Sequence, residues 1–167
     1  MGRLKRTAAG LIAVSMLVTG ARASDLPSHI LGHLEKDEYV YIASTRKSGE
    51  LGTAAEIWFW WDGSDVFVGT NVGSYRVRRI KAGRPAARIW VKDTDGPWFA
   101  ATGALVDGRD AQDRMIETYS EKYGDSFTKS WKAKFRAGFD AGTTVVVRYT
   151  PTGPTGAGPE GLPPEKD

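Results

Sequence analysis

The stretch FVGTNVGSYRVRRI, Phe67 to Ile80, carries an apolar strand into a glycine-containing loop and then into a short basic helix. Val66 to Thr70 has the β-branched and aromatic content of a strand. Asn71-Val72-Gly73-Ser74 reads as a loop and helix start, and Tyr75 to Gly83 as a short helix stopped by Gly83. The first N–H groups of a helix lack intrahelical partners, and its dipole favours an anion there. Ser74 can cap that helix and also donate its hydroxyl to a phosphate. Arg76 follows two residues later, and Arg78, Arg79, Lys81 and Arg84 add positive charge. The planar fork of arginine can bind two phosphate oxygens at once. The competing reading of these residues is a solvated amphipathic helix whose arginines pair with acidic neighbours.

Upstream, Leu26 to Lys36 reads as an opening helix with Ile30, Leu31 and Leu34 on its apolar side. Tyr39 to Lys47 and Ala54 to Trp61 read as two strands joined through the turn Ser48-Gly49-Glu50, a hairpin. Trp58 and Trp60 fall on one face of the second strand, Phe59 and Trp61 on the other. With both faces apolar, the expectation is a central strand covered on each side. Asp62-Gly63 turns the chain into the strand Val66 to Thr70.

Downstream, Ala86 to Lys92 and Trp98 to Val106 read as strands joined by a turn at Asp95-Gly96-Pro97, with Gly103 permitting close backbone approach. Two helices follow, about Asp110 to Tyr123 and about Ser126 to Ala137. Met115, Tyr119 and Tyr123 form one stripe and Phe127, Trp131 and Phe135 the other, which is core spacing. A last strand spans Thr143 to Thr150. Hairpins dominate and no regular β-α-β alternation occurs, so the expected fold is mainly β (α+β), a small antiparallel barrel with flanking helices.

The N-terminus has the marks of an export signal: basic Arg3, Lys5 and Arg6, an apolar run from Ala8 to Val18, and Ala21-Arg22-Ala23 before Ser24. The apolar run is shorter than the roughly 20 residues of a spanning helix. Cleavage after residue 23 would place the mature protein in the periplasm or outside the cell, with no membrane attachment. It would remove four of the 23 basic residues and none of the 20 acidic ones, leaving 19 against 20 and a net charge of −1. Nucleic acid is therefore not an expected partner. The chain has no cysteine, so it forms no disulfide. The expected organisation is a signal peptide over residues 1–23, one domain over 24–150, and a disordered tail over 151–167, PTGPTGAGPEGLPPEKD.

The segment Thr70-Asn71-x-x-Ser74-x-Arg76 after a short apolar strand resembles the phosphate-binding segment of the pyridoxamine 5′-phosphate oxidase-like, FMN-binding split-barrel family. The hairpin IASTRKSGELGTAAEIWFWWDG is similar to that family's opening. The similarity covers roughly Glu38 to Val106, and the order of elements agrees out to Tyr149. It implies a split β-barrel and an FMN-dependent oxidoreductase working on a small substrate. Ser74 and Arg76 would hold the flavin phosphate, with Thr70 and Asn71 contributing at the strand end. Glu56, Ile57 and Trp58 would line the isoalloxazine edge, mostly through backbone groups, and Arg46 would make a second phosphate contact. The resemblance also implies a homodimer with the cofactor at the subunit interface. Tyr75 stands where the family motif commonly has a second basic residue. An Arg-x-x-Pro-like end is replaced by the proline-glycine tail, so authentic pyridoxamine phosphate oxidase activity is not expected.

His29 and His33, four apart on the opening helix, have metal-like spacing, but no third ligand accompanies them and a solvated face is the expectation. No nucleophile and base stand together. That fits flavin chemistry, in which the cofactor carries the redox step. It fits equally a binding module on the same barrel holding haem, a deazaflavin or another small ligand without turnover, or an interaction domain that has lost its cofactor.

Overall fold

A computed structural model describes residues 25–157. The expected signal peptide and the end of the expected tail, residues 158–167, lie outside the described residues. The elements run α1 (Ser28–Lys36), β1 (Tyr39–Ser44), β2 (Ala55–Trp58), β3 (Trp60–Trp61), β4 (Val66–Asn71), α2 (Tyr75–Lys81), β5 (Ala86–Val91), β6 (Pro97–Val106), α3 (Arg109–Tyr123), α4 (Lys129–Asp140) and β7 (Thr144–Ala157). Among the described residues one seven-stranded sheet has the order β2-β1-β5-β6-β7-β4-β3, with antiparallel pairing throughout. Its two end strands, β2 and β3, are separated in sequence by Phe59 alone. The sheet therefore rolls into a nearly closed barrel whose split falls at Phe59.

This corrects the expectation of one central strand over Ala54 to Trp61. The chain crosses the seam of the barrel there, so β2 pairs only with β1 and β3 only with β4. The alternation of side chains survives the break. Phe59 and Trp61 join the inner core with Val40, Val68, Ile89 and Phe99. Trp58 and Trp60 join an outer aromatic cluster under α3 and α4, with Tyr119, Tyr123 and Phe127. Helices α1 and α2 contribute Ile30, Leu34 and Val77 to the inner core. Helix α4 starts three residues later than the sequence suggests, at Lys129, because Thr128 caps it by accepting from the Trp131 N–H.

Breaking a strand inside a core exposes backbone groups that must find partners. Two tyrosines of α3 supply them. The Tyr123 hydroxyl accepts from the Phe59 N–H at 2.8 Å, and its proton points to the carbonyls of Phe59 at 2.7 Å and Glu38 at 2.9 Å. The Tyr119 hydroxyl donates to the Trp58 carbonyl at 2.6 Å and accepts from the Gly69 N–H at 3.4 Å. Over the same seam, the Lys122 Nζ stands 3.3 Å from the centroid of the Phe59 ring.

Strand β7 overturns part of the expected tail. Pro151 to Ala157 continue the strand and pair along β6 as far as Pro97. Pairing of β7 with β4 stops at Tyr149, so the later half lies at an edge, where a proline without an N–H is tolerated. Gly156 is needed for that pairing: a Cβ there would overlap the Trp98 indole.

Two outcomes follow from the seam. Tyr123→Phe leaves the buried Phe59 backbone groups without a partner and should lower unfolding stability by about 1–3 kcal/mol in urea titrations; unchanged stability would contradict the role assigned to that hydroxyl. Stability should also vary with alkaline pH. Burial lowers the Lys122 pKa from 10.5 to about 8, with Asp37 and Glu38 opposing it. Between about pH 8 and 10.5 the unfolded chain then binds the extra proton, and stability rises with pH. Burial pushes Tyr119, Tyr123 and Tyr149 above the ordinary 10.0, so above that pH the unfolded chain loses phenolic protons first and stability falls. Lys122→Met should abolish the rise and keep the fall, read as denaturation midpoints from pH 7 to 11.

Candidate functional site

Helix α2 follows β4 through the turn Asn71–Ser74, in which the Asn71 side chain accepts from the Gly73 N–H at 2.7 Å. Its position against the barrel depends on Gly103: a Cβ there would press on the Tyr149 ring at 2.8 Å and on Ile80 at 2.9 Å. Between α2 and the β1–β2 hairpin lies a cleft of about 660 Å³, whose polar lining is Ser44, Arg46, Thr53, Ser74, Arg76 and Arg79. Tyr75, 69% exposed, also lines it.

The two residues expected to hold a phosphate stand here with unused donors. The Ser74 hydroxyl does not cap α2, contrary to the expectation from sequence. Its Oγ is buried with no hydrogen-bond partner, and so is Nη1 of Arg76. Arg76 is only 8% exposed, and burial holds its pKa below the ordinary arginine value, with Tyr149 and Tyr119 opposing. A buried, unpaired guanidinium is costly unless an anion completes it.

Arg79 leaves the same helix toward β1. Its Nη1 donates to the Ser44 carbonyl at 2.6 Å and to the Ser44 hydroxyl at 2.8 Å. Gly52 lies so close to the guanidinium that any Cβ would overlap it. Burial, then Arg46, Arg84 and Arg78 push the Arg79 pKa down, with only Tyr75 opposing. The Tyr75 ring carries the guanidinium of Arg78 at 4.5 Å and that of Arg79 at 5.3 Å. Ion pairs engage Arg109, Arg136, Arg148 and His33, whereas none among the described residues engages Arg46, Arg76 or Arg79 of the cleft. The reading of α2 as a helix with arginines paired to acidic neighbours is thereby set aside.

Other residues expected at the site lie elsewhere in the single chain. Glu56, Ile57 and Trp58 line a second cleft of about 330 Å³, with Tyr39, Trp131 and Phe135 among its walls. Thr70 and Asn71 line a third, of about 350 Å³, which also has Gly69, Trp131 and Phe135 as walls. Arg46, Ser74, Tyr75 and Arg76 are thus brought together, while the β2 residues and the end of β4 line two other clefts that share Gly69, Trp131 and Phe135. The backbone of β2 is only partly available for a ligand edge. Tyr119 takes the Trp58 carbonyl, and alternation turns the Ile57 backbone groups toward β1, which leaves the outer edge at Glu56. The Glu56 carboxylate accepts from the Tyr41 hydroxyl at 2.8 Å. His29 is exposed, and His33 bonds Asp37 at 3.1 Å. Among the described residues no group of three metal-ligating side chains occurs.

Sequence reasoning did not single out Ser44, Thr53 or the reach of Arg79. The signal for Arg79 was its spacing: it lies one helical turn after Arg76 and so returns to the same end of the barrel.

The sequence matches no protein-family model and no curated protein. Solved structures do share the fold. The heme storage protein HutZ from Vibrio cholerae is 13% identical, with a TM-score of 0.58 over 78% of this chain and 92% of that one. An F420 reductase is 23% identical, with a TM-score of 0.54 over 78% and 98%. A protein of the pyridoxinephosphate oxidase family from Clostridium acetobutylicum, related to general stress protein 26, is 13% identical, with a TM-score of 0.54 over 74% and 81%. The fold of this chain is therefore the split barrel of the pyridoxamine 5′-phosphate oxidase-like proteins.

The unpartnered Arg76 has a measurable consequence. Arg76→Met should raise the unfolding stability of the ligand-free protein by about 1–3 kcal/mol, because it removes a buried charge that has no partner. A loss of stability would mean that the guanidinium is satisfied within the fold.

Proposed function

We propose that this split barrel binds FMN, holding its phosphate at Ser74 and Arg76, and acts as an exported flavin-dependent oxidoreductase on a small substrate. The observation that carries the reading is the pair of buried donors, Ser74 Oγ and Arg76 Nη1, left without partners in a cleft that arginines line and no carboxylate balances. A phosphate monoester brings the charge and acceptor oxygens that both atoms lack. The β2 residues Glu56, Ile57 and Trp58 would line the edge of a planar ring, as the family resemblance implies. Bound flavin would supply the two-electron chemistry, and the protein the position and charge. The arginine cleft of the single chain shares no wall with the cleft at β2, which accords with a cofactor completed across a homodimer. The export signal at Arg3 to Ala23 supports a periplasmic or secreted location.

The fold is shared with an F420 reductase and with a heme storage protein, so a deazaflavin and haem are the alternatives. Haem held by an imidazole is the less supported of the two. Neither histidine lines any of the three clefts.

Titration of the protein with FMN, followed by quenching of flavin fluorescence, tests the reading. Saturable binding is expected, weakened about tenfold to a hundredfold in Arg76→Ala by loss of a charge-assisted contact. Absence of quenching in the parent protein would contradict it.

A further inference from the structure

We infer that the cleft has two anion subsites: beside the phosphate position at Ser74 and Arg76, Arg46 and Arg79 form a second one with Ser44 for another phosphate or carboxylate group. The inference takes from the proposed function only the identity of the first occupant.

Three observations lead to it. First, Arg76 and Arg79 leave α2 toward different partners. Arg76 faces Tyr149 and Tyr119, whereas Arg79 reaches Ser44 and stands in the field of Arg46 and Arg84. The two guanidinium groups of one cleft are thus held by different surroundings. Second, the charge is too large for one monoester. Arg46, Arg76 and Arg79 line the cleft, and Arg78 and Arg84 lie within electrostatic reach of Arg79. A phosphate monoester carries about −1.5 to −2 at neutral pH, which leaves guanidinium charge unbalanced. Third, Arg79 is positioned in advance. Ser44 takes the two N–H groups of Nη1 and leaves those of Nε and Nη2, Gly52 leaves room for the guanidinium, and Tyr75 offers it a ring face. Such a held fork binds an anion with little further ordering.

The second group has two chemical sources. It is the next phosphate of a diphosphate-bearing ligand, or it is an anionic group on a separate substrate lying beside the cofactor.

Inorganic phosphate and pyrophosphate titrated calorimetrically into the purified protein test the assignment. Pyrophosphate should bind at least about tenfold tighter than phosphate, an advantage that Arg46→Ala removes. Arg79→Lys, which keeps the charge but loses the fork, should reduce the advantage without unfolding the protein. Equal affinity for the two anions would overturn the inference, as would a loss of FMN affinity in Arg46→Ala as large as that in Arg76→Ala. If FMN fails to bind while the pyrophosphate advantage persists, the two-subsite cleft stands and the flavin reading falls. Phosphate that still binds to FMN-saturated protein assigns the second group to a separate substrate. Phosphate excluded by FMN, with the pyrophosphate advantage intact, assigns it to the ligand's own second phosphate.

Discussion

Everything in this fold turns on a strand that must break at Phe59 while its backbone stays buried. A sheet that rolls up needs its last strand to meet its first, and here both come from one run of residues. Phe59 is fully buried at the junction, out of reach of water. The Tyr123 hydroxyl meets its N–H and carbonyl together, and Tyr119 meets the carbonyl just before it. Because both tyrosines sit on α3, the helix is tied to the seam by hydrogen bonds as well as by packing. The stacked pair of Trp58 and Tyr123, 5.0 Å between centroids, adds aromatic contact at the same place. Closing the barrel and docking the helix are thus one event.

The seam also shapes the candidate site. Since β2 ends the sheet, its outer edge has no strand neighbour, and that edge can meet a ligand. Tyr119 shortens the free edge by occupying the Trp58 carbonyl. On the far side of the hairpin, Arg79 ties α2 to β1 through Ser44. Within the arginine cleft, Ser44, Arg76 and Arg79 stand on β1 and α2, and Arg46 and Thr53 on the loop between β1 and β2. The cleft retains donors with nothing to bond at Ser74 and Arg76, where arginines gather without a carboxylate.

Much of this was legible from residue order. Thr70-Asn71-x-x-Ser74-x-Arg76 runs from the end of β4 into α2, and Arg46 lines the same cleft as Ser74 and Arg76. The alternation of Trp58 and Trp60 against Phe59 and Trp61 also held. What the alternation could not reveal was the break, because period-two patterning describes faces and not neighbours. Tyr119 and Tyr123 read as core by spacing, and they are core. Their hydroxyls implied buried polar partners, but which backbone groups those were depended on the roll of the sheet. Pro151 to Ala157 misled for a related reason: composition marks a segment as unable to form its own core, yet β6 offered a ready edge. The orphaned Ser74 hydroxyl could not be foreseen, since a serine at a helix start ordinarily caps it.

The most direct test is a crystal structure of the protein grown with FMN. The account predicts a phosphate within hydrogen-bond distance of both Ser74 Oγ and Arg76 Nη1, with the edge of the ring lined by the β2 residues Glu56, Ile57 and Trp58. A flavin bound elsewhere, with those two atoms satisfied by protein or water alone, would contradict it.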